Sequence, residues 1–162
     1  MAYWQLFYHI VWSTKYRQKI ITPEIEPIVH NHLRAKAIGL GGTVFALNGT
    51  DDHVHIISSI PPKIAVATFI GQIKAVASTK LNQSGLLSEK FYWQEKYGVF
   101  SFDRKRLPNF IAYVERQKEH HANQTTIPIL ERDNEGNVQL LRENKLLYLT
   151  ENAQWRAELE SF

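Results

Sequence analysis

Asn48 to Lys63, "NGTDDHVHIISSIPPK", joins a turn, a strand and a helix start, and its reading decides the fold. The Asn-Gly opening and the two aspartates form a hairpin-like turn between two runs of strand character, Thr43–Leu47 and His53–Ile60. Pro61 and Pro62 then end the strand and open a helix. A hairpin handed directly to a helix points to an α+β fold, and the rest of the chain can be read outward from it. Side chains alternate faces along a pleated strand, so His53 and His55 point one way while Val54 and Ile56 point the other. Taken alone, the two imidazoles are either the polar outer face of a half-buried strand or a pair of ligands.

Downstream, Val66, Phe69, Ile70, Ile73, Val76 and Leu81 form the apolar stripe of the second helix, with Lys74, Ser78 and Lys80 off it. "YGVFSF" at 97–102 is a fourth strand, and Pro108 suits the first turn of a third helix running to about His121. Upstream, Leu6–Thr14 is aromatic and β-branched, a first strand. Thr22 and Pro23 start a helix with Ile25, Val29, Leu33 and Ala37 at helical spacing, and the glycines at 39–42 stop it. The order β-α-β-β-α-β-α predicts a ferredoxin-like (RRM-like) antiparallel sheet with two helices on one face, plus a third helix. The other sheet face is then left for ligands. In the third helix Leu107, Ile111 and Val114 are the expected buried stripe, with Tyr113, Gln117 and His120 on an adjoining flank.

The 162 residues fit one domain with a sizeable core. No cysteine is present, which excludes disulfides, thiolate nucleophiles and Cys-ligated zinc. No apolar run reaches the ~20 residues of a membrane span, and no signal peptide is recognisable, so a cytoplasmic location is expected. The net charge of +3 permits an anionic partner. "TKYRQK" at 14–19 and "DRKR" at 103–106 concentrate the positive charge. Lys15, Arg17, Lys19, Lys74 and Lys80 are candidates for phosphate contacts, and Tyr16 or Trp93 for stacking on an unpaired base.

Together, "YHIVWSTKYRQK", "DDHVHIISSIPPK", "FIGQIKAVASTKLN", "FYWQEKYGVFSF" and "YVERQKEHH", in this order and spacing, resemble the single-tyrosine HUH transposases of the insertion sequence 200/605 class and their REP-associated relatives. The resemblance runs from about Tyr8 to His121. It implies a domain over 1–122 and an extension over 123–162 that the resemblance does not cover. It also implies that His53, His55 and Gln117 hold a divalent metal and that Tyr113 is the nucleophile. The partner would be single-stranded or hairpin DNA, cleaved and rejoined through a 5′-phosphotyrosine, and the site of action the nucleoid. Family members are homodimers in which the tyrosine helix can complete the partner's site. Two imidazoles alone suit Zn, Ni or Mn, whereas the resemblance implies Mg or Mn. The family commonly has proline before its Asp-His pair; here Asp51 stands there, and Asp51 or Asp52 could orient a ligand imidazole.

Other readings of the same residues are a domesticated REP-associated nicking protein, a non-catalytic single-stranded nucleic-acid-binding module, and a small metal-dependent hydrolase. The binding module leaves His53, His55, Tyr113 and Gln117 without a role.

Overall fold

A computed structural model of the chain describes residues 2–134. Its elements are strands β1 (Phe7–Ser13), β2 (Thr43–Gly49), β3 (His53–Ser59) and β4 (Gly98–Phe102), with helices α1 (Glu26–Gly39), α2 (Val66–Gln83), α3 (Leu107–Glu115) and α4 (Gln117–Ala122). The sheet runs β2-β3-β1-β4, every neighbouring pair antiparallel. This is the ferredoxin-like order expected from the sequence. It puts β1, which carries His9, and β3, which carries His53 and His55, at the sheet centre.

The alternation builds two cores. Ile10, Trp12, Val54 and Ile56 face one way and pack with Val29, Leu33, Ala37, Phe69, Ile70 and Ile73 of α1 and α2. The opposite face is not open. Ala46 and Ile57 there pack with Phe110, Tyr113, Val114, Ile127 and Leu130. The third helical segment and the chain after it therefore cover the face expected to be free. At roughly 25 cal/mol per Å² of apolar area, seven buried side chains in this second cluster are ample reason for that closure.

The helix boundaries depart from expectation in two places. Pro61 and Pro62 form a turn, Ile64 N–H donating to the Pro61 carbonyl at 3.1 Å, and α2 begins only at Val66 after extended Ala65. Extended Ala65, with ψ 138°, keeps the helical ladder from starting before it. The third helix is interrupted at Arg116, whose ψ of 19° leaves the helical range. Its buried side is Phe110, Tyr113 and Val114, with Leu107 and Ile111 only partly covered. The expectations for a strand or helix at 138–149 and a terminal helix at 151–162 lie outside the described residues. Among the described residues, no helix is long and apolar enough to cross a membrane.

Candidate active site

Both histidines of the opening stretch belong to the covered face. His53 and His55 are buried, at 2% and 0% exposure, rather than facing solvent. Their outer nitrogens are fixed by neighbours. His53 Nδ1 lies 2.6 Å from Asp52 Oδ1 and 2.9 Å from Thr50 Oγ1, and His55 Nδ1 lies 2.8 Å from His9 Nε2 across the β1–β3 pairing. Both Nε2 atoms are thereby turned to one point. Asp52 therefore sits where a carboxylate orients an imidazole, whereas Asp51 is exposed and contributes its backbone carbonyl to Ile21 N–H.

Tyr113 of α3 and Gln117 at the start of α4 reach the same point from above, one turn apart. Tyr113 is 1% exposed and its ring centroid lies 6.3 Å from that of His55; His120 stacks on its other side at 4.7 Å. Burial of the helix flank follows from Phe110 and Val114, which bring α3 down onto β2 and β3.

A carboxylate that the sequence reading missed occupies the centre. Glu131, after a short 3-10 turn at Pro128–Leu130, accepts from Tyr113 Oη at 2.5 Å and Gln117 Nε2 at 3.1 Å on one oxygen. Its other oxygen lies 3.0 Å from His55 Nε2 and 3.4 Å from the Nε2 atoms of His53 and His121. An isolated Glu in a loop has no periodicity to reveal it. The only local hint is the apolar run Ile127–Leu130 before it, which anchors the loop to the sheet.

The charges follow from this packing. Burial lowers the basicity of His55 and His9, more than Glu131 restores for either, so both are neutral. For His53, burial is outweighed by hydrogen bonds to Asp52 and Glu131, and its pKa is pushed up to about 9. Glu131 is held far below the carboxylate range: burial would raise it, but His53, His55 and Tyr113 favour the anion. Burial and the Glu131 charge together push the Tyr113 phenol above its usual value.

The donor set fits a cation. Gln117 Oε1 is buried and lacks a hydrogen-bond partner among the described residues, an expensive state for a polar atom unless something binds there, and His53 Nε2 meets only the Glu131 carboxylate, at 3.4 Å. His53, His55 and Glu131 each offer one ligand atom, all within 4.8 Å of one another. Two imidazoles with oxygen donors suit a divalent ion.

The basic candidates separate. Lys15, Lys19 and Lys80 are exposed. Tyr16 is 85% exposed, and it and Arg17 adopt left-handed φ values of 56° and 51°, a conformation costing of order 1 kcal/mol or more for each non-glycine residue. Arg17 is occupied by Asp133 at 3.1 Å and Asp52 at 3.9 Å. Lys74 is buried, with Nζ donating to the carbonyls of Gln94, Glu95 and Lys96 at 2.6, 3.4 and 3.2 Å, so it serves the fold. Trp93 is likewise packed, edge-on to Trp12 and Phe91 with its indole N–H on the Lys74 carbonyl. Tyr92 beside it is exposed: Lys15 Nζ lies 5.4 Å from the Tyr92 ring and 5.5 Å from that of Tyr16, and Lys90 Nζ 5.9 Å from Tyr92.

Residues 2–117 match the protein family described as "Transposase IS200 like". The transposase of insertion sequence element IS200 from Salmonella typhimurium is 30% identical over 132 residues, 77% of this chain and 86% of that one. The ISDra2 transposase TnpA of Deinococcus radiodurans is 26% identical over 119 residues, 70% and 85% of the two chains. Among solved structures, a candidate transposase from Deinococcus radiodurans superposes with a TM-score of 0.59 at 23% identity, covering 72% of this chain and 95% of that one. A REP-associated tyrosine transposase bound to a REP hairpin gives 0.56 at 11% identity, covering 78% and 76%. Both are similar in fold.

Proposed function

Because this chain belongs to the IS200-like transposase family, we propose that it cleaves and rejoins single-stranded DNA, with Tyr113 as the nucleophile and a divalent metal held by His53, His55 and Gln117. The observation that carries this reading is convergence: His55, Tyr113 and Gln117 all bond the one Glu131 carboxylate, with His53 at 3.4 Å. Four groups of the types that phosphodiester cleavage needs meet at one anion-sized position.

In the proposed reaction Tyr113 Oη attacks phosphorus, its proton passing to water, while the P–O3′ bond breaks and the 3′ oxygen leaves, taking a proton from water to become a hydroxyl. The product is a 5′-phosphotyrosine. An incoming 3′-hydroxyl reverses the step without ATP, because the phosphotyrosine keeps the energy of the broken ester. A bound Mg or Mn would supply Lewis acidity toward the non-bridging oxygens. Asp52 and His9 hold the two imidazoles so that each presents Nε2, a positioning role.

Lys15, Tyr16, Lys19 and Lys80, joined by Tyr92 and Lys90, form the proposed contact for single-stranded or hairpin DNA, two exposed rings flanking a lysine. Tyr113 faces the histidines of its own chain, which favours an active site completed within one subunit, with homodimerisation as the family resemblance implies. The site of action is the cytoplasm, at the nucleoid. The division into a transposase domain at 1–122 and an extension at 123–162 places Glu131 in the extension.

The test is incubation of the protein with labelled single strands from the flanks of its coding region, with Mg²⁺ or Mn²⁺. A denaturation-resistant protein–DNA band that needs the metal is expected. Binding without any covalent band would favour the non-catalytic module.

A further inference from the structure

Gln117 and His121 stand one turn apart on α4, so the face that turns Gln117 toward the two sheet histidines carries His121 with it. The histidine before it goes elsewhere: His120 stacks on the Tyr113 ring at 4.7 Å, and its Nδ1 lies 2.9 Å from Thr125 Oγ1. His121 lies against His53, ring centroids 4.7 Å apart, and its Nε2 is 3.4 Å from Glu131 Oε2. The same oxygen has the Nε2 atoms of His53 and His55 at 3.4 and 3.0 Å. Three imidazole nitrogens, two from β3 and one from α4, therefore surround one point. A ligand set of His53, His55 and Gln117 leaves the third without a role.

We propose that His121 is a third imidazole ligand of the candidate metal centre, and that it biases the centre toward a transition-metal ion such as Co²⁺ or Zn²⁺ over Mg²⁺. This rests on the reading of His53 and His55 as metal ligands. The three rings are held differently. His53 and His55 are 2% and 0% exposed, and Asp52 and His9 fix them through their other nitrogens. The His121 side chain is 36% exposed, so its ring is free to turn at the edge of the site and close on a cation that the fixed pair has met. Donor chemistry then sets the selectivity. Imidazole nitrogen suits Zn and its neighbours in the first transition row, and each added nitrogen raises their affinity. Mg²⁺ prefers oxygen ligands and keeps several waters, so a third nitrogen gives it little.

Side-chain NMR of the isotope-labelled wild-type chain reads each imidazole separately and needs no variant. On addition of Zn²⁺, the Nε2 resonances of His53, His55 and His121 should all move as ligation requires. Titration calorimetry of His121→Asn gives the energetic side. Its affinity for Co²⁺ should fall about tenfold or more, because losing even an outer partner of a ligand costs that much, while its affinity for Mg²⁺ changes far less. His120→Asn, which alters the adjacent ring, should bind Co²⁺ as wild type does. Movement of the His53 and His55 resonances alone overturns the proposal, as does a His121→Asn chain with wild-type affinity for Co²⁺. An equal loss in His120→Asn also overturns it, since the effect would then come from α4 rather than from ligation. If Zn²⁺ moves none of the three resonances, the metal reading of the site fails together with this proposal. If it moves all three and no metal yields a covalent band with DNA, His121 stands as a ligand and the nucleophile reading alone fails.

Discussion

Removing the hydroxyl of Tyr113 tests the chemistry and the geometry together. Tyr113→Phe keeps the ring, which packs with Phe110 and Val114 and stacks on His120. The hydroxyl it deletes serves two partners, donating to Glu131 Oε1 at 2.5 Å and accepting from Ile127 N–H at 3.0 Å. Leaving the buried Ile127 N–H without an acceptor costs about 1–3 kcal/mol, and loss of a bond to a carboxylate about 1.5–3 kcal/mol. The two overlap, because the loop carrying both partners can relax, so about 2–4 kcal/mol is expected. For a chain of this size that is a fall in melting temperature of roughly 4–16 °C. A tyrosine on an exposed helix rim would lose about 1 kcal/mol or less. The assay pairs calorimetric melting with the covalent-band experiment in Mn²⁺, run well below the variant's melting temperature. The expected result is a lower melting temperature, intact single-strand binding and no adduct. A variant as stable as wild type would refute the buried hydroxyl network, and an undiminished adduct would refute the nucleophile.

Asp52→Asn should weaken Mn²⁺ binding by about 10–100-fold in titration calorimetry, because it removes the carboxylate that turns His53 Nε2 to the centre; unchanged affinity would mean that His53 is oriented by Thr50 alone. Lys74→Met should cost about 2–4 kcal/mol in urea unfolding by leaving the Gln94–Lys96 carbonyls unpaired, with single-strand affinity unchanged; a stable variant with weakened DNA binding would return Lys74 to the phosphate contacts. His30 of α1 is partly buried, and that burial brings its pKa down to about 4 despite nearby Glu26, with Lys118 and Arg34 acting in the same direction as burial. The unfolded chain takes up this proton near pH 6.5 and the folded chain only near 4, so its contribution is complete above 6.5 and is lost as pH falls through that window. The shift corresponds to about 3 kcal/mol at most, less after solvent screening, and His30→Gln should flatten that part of the stability profile measured by urea unfolding at pH 7 and pH 4.5; an unchanged slope would place the acid sensitivity elsewhere.

The strands, their order and the two histidines were legible because each rests on a local signal. Alternation along His53–Ile60 separates Val54 and Ile56 from the imidazoles, and the short connection leaves β2 and β3 adjacent, although Asn48 and Gly49, expected in the turn, are paired in β2 with His55 and Val54 and the chain reverses at 50–52. The orientation of α3 was less legible. Leu107, Phe110, Ile111 and Val114 make an apolar stripe wide enough to be buried by either edge, and only the shape of the sheet face under it selects Phe110 and Val114. Glu131 is the extreme case, since its contacts with His55 and His53 join residues more than seventy positions apart and leave no mark on the sequence around it.

That such a group must exist follows from hydrogen-bond accounting. Once a tyrosine hydroxyl, a glutamine amide and two imidazoles are aimed at one buried point, they need an acceptor or a cation there. A carboxylate from the same chain supplies that acceptor without any ligand, Glu131 meeting Tyr113, Gln117 and His55. The same carboxylate would serve a cation entering the site, since His53, His55 and Glu131 each offer a ligand atom within 4.8 Å of the others.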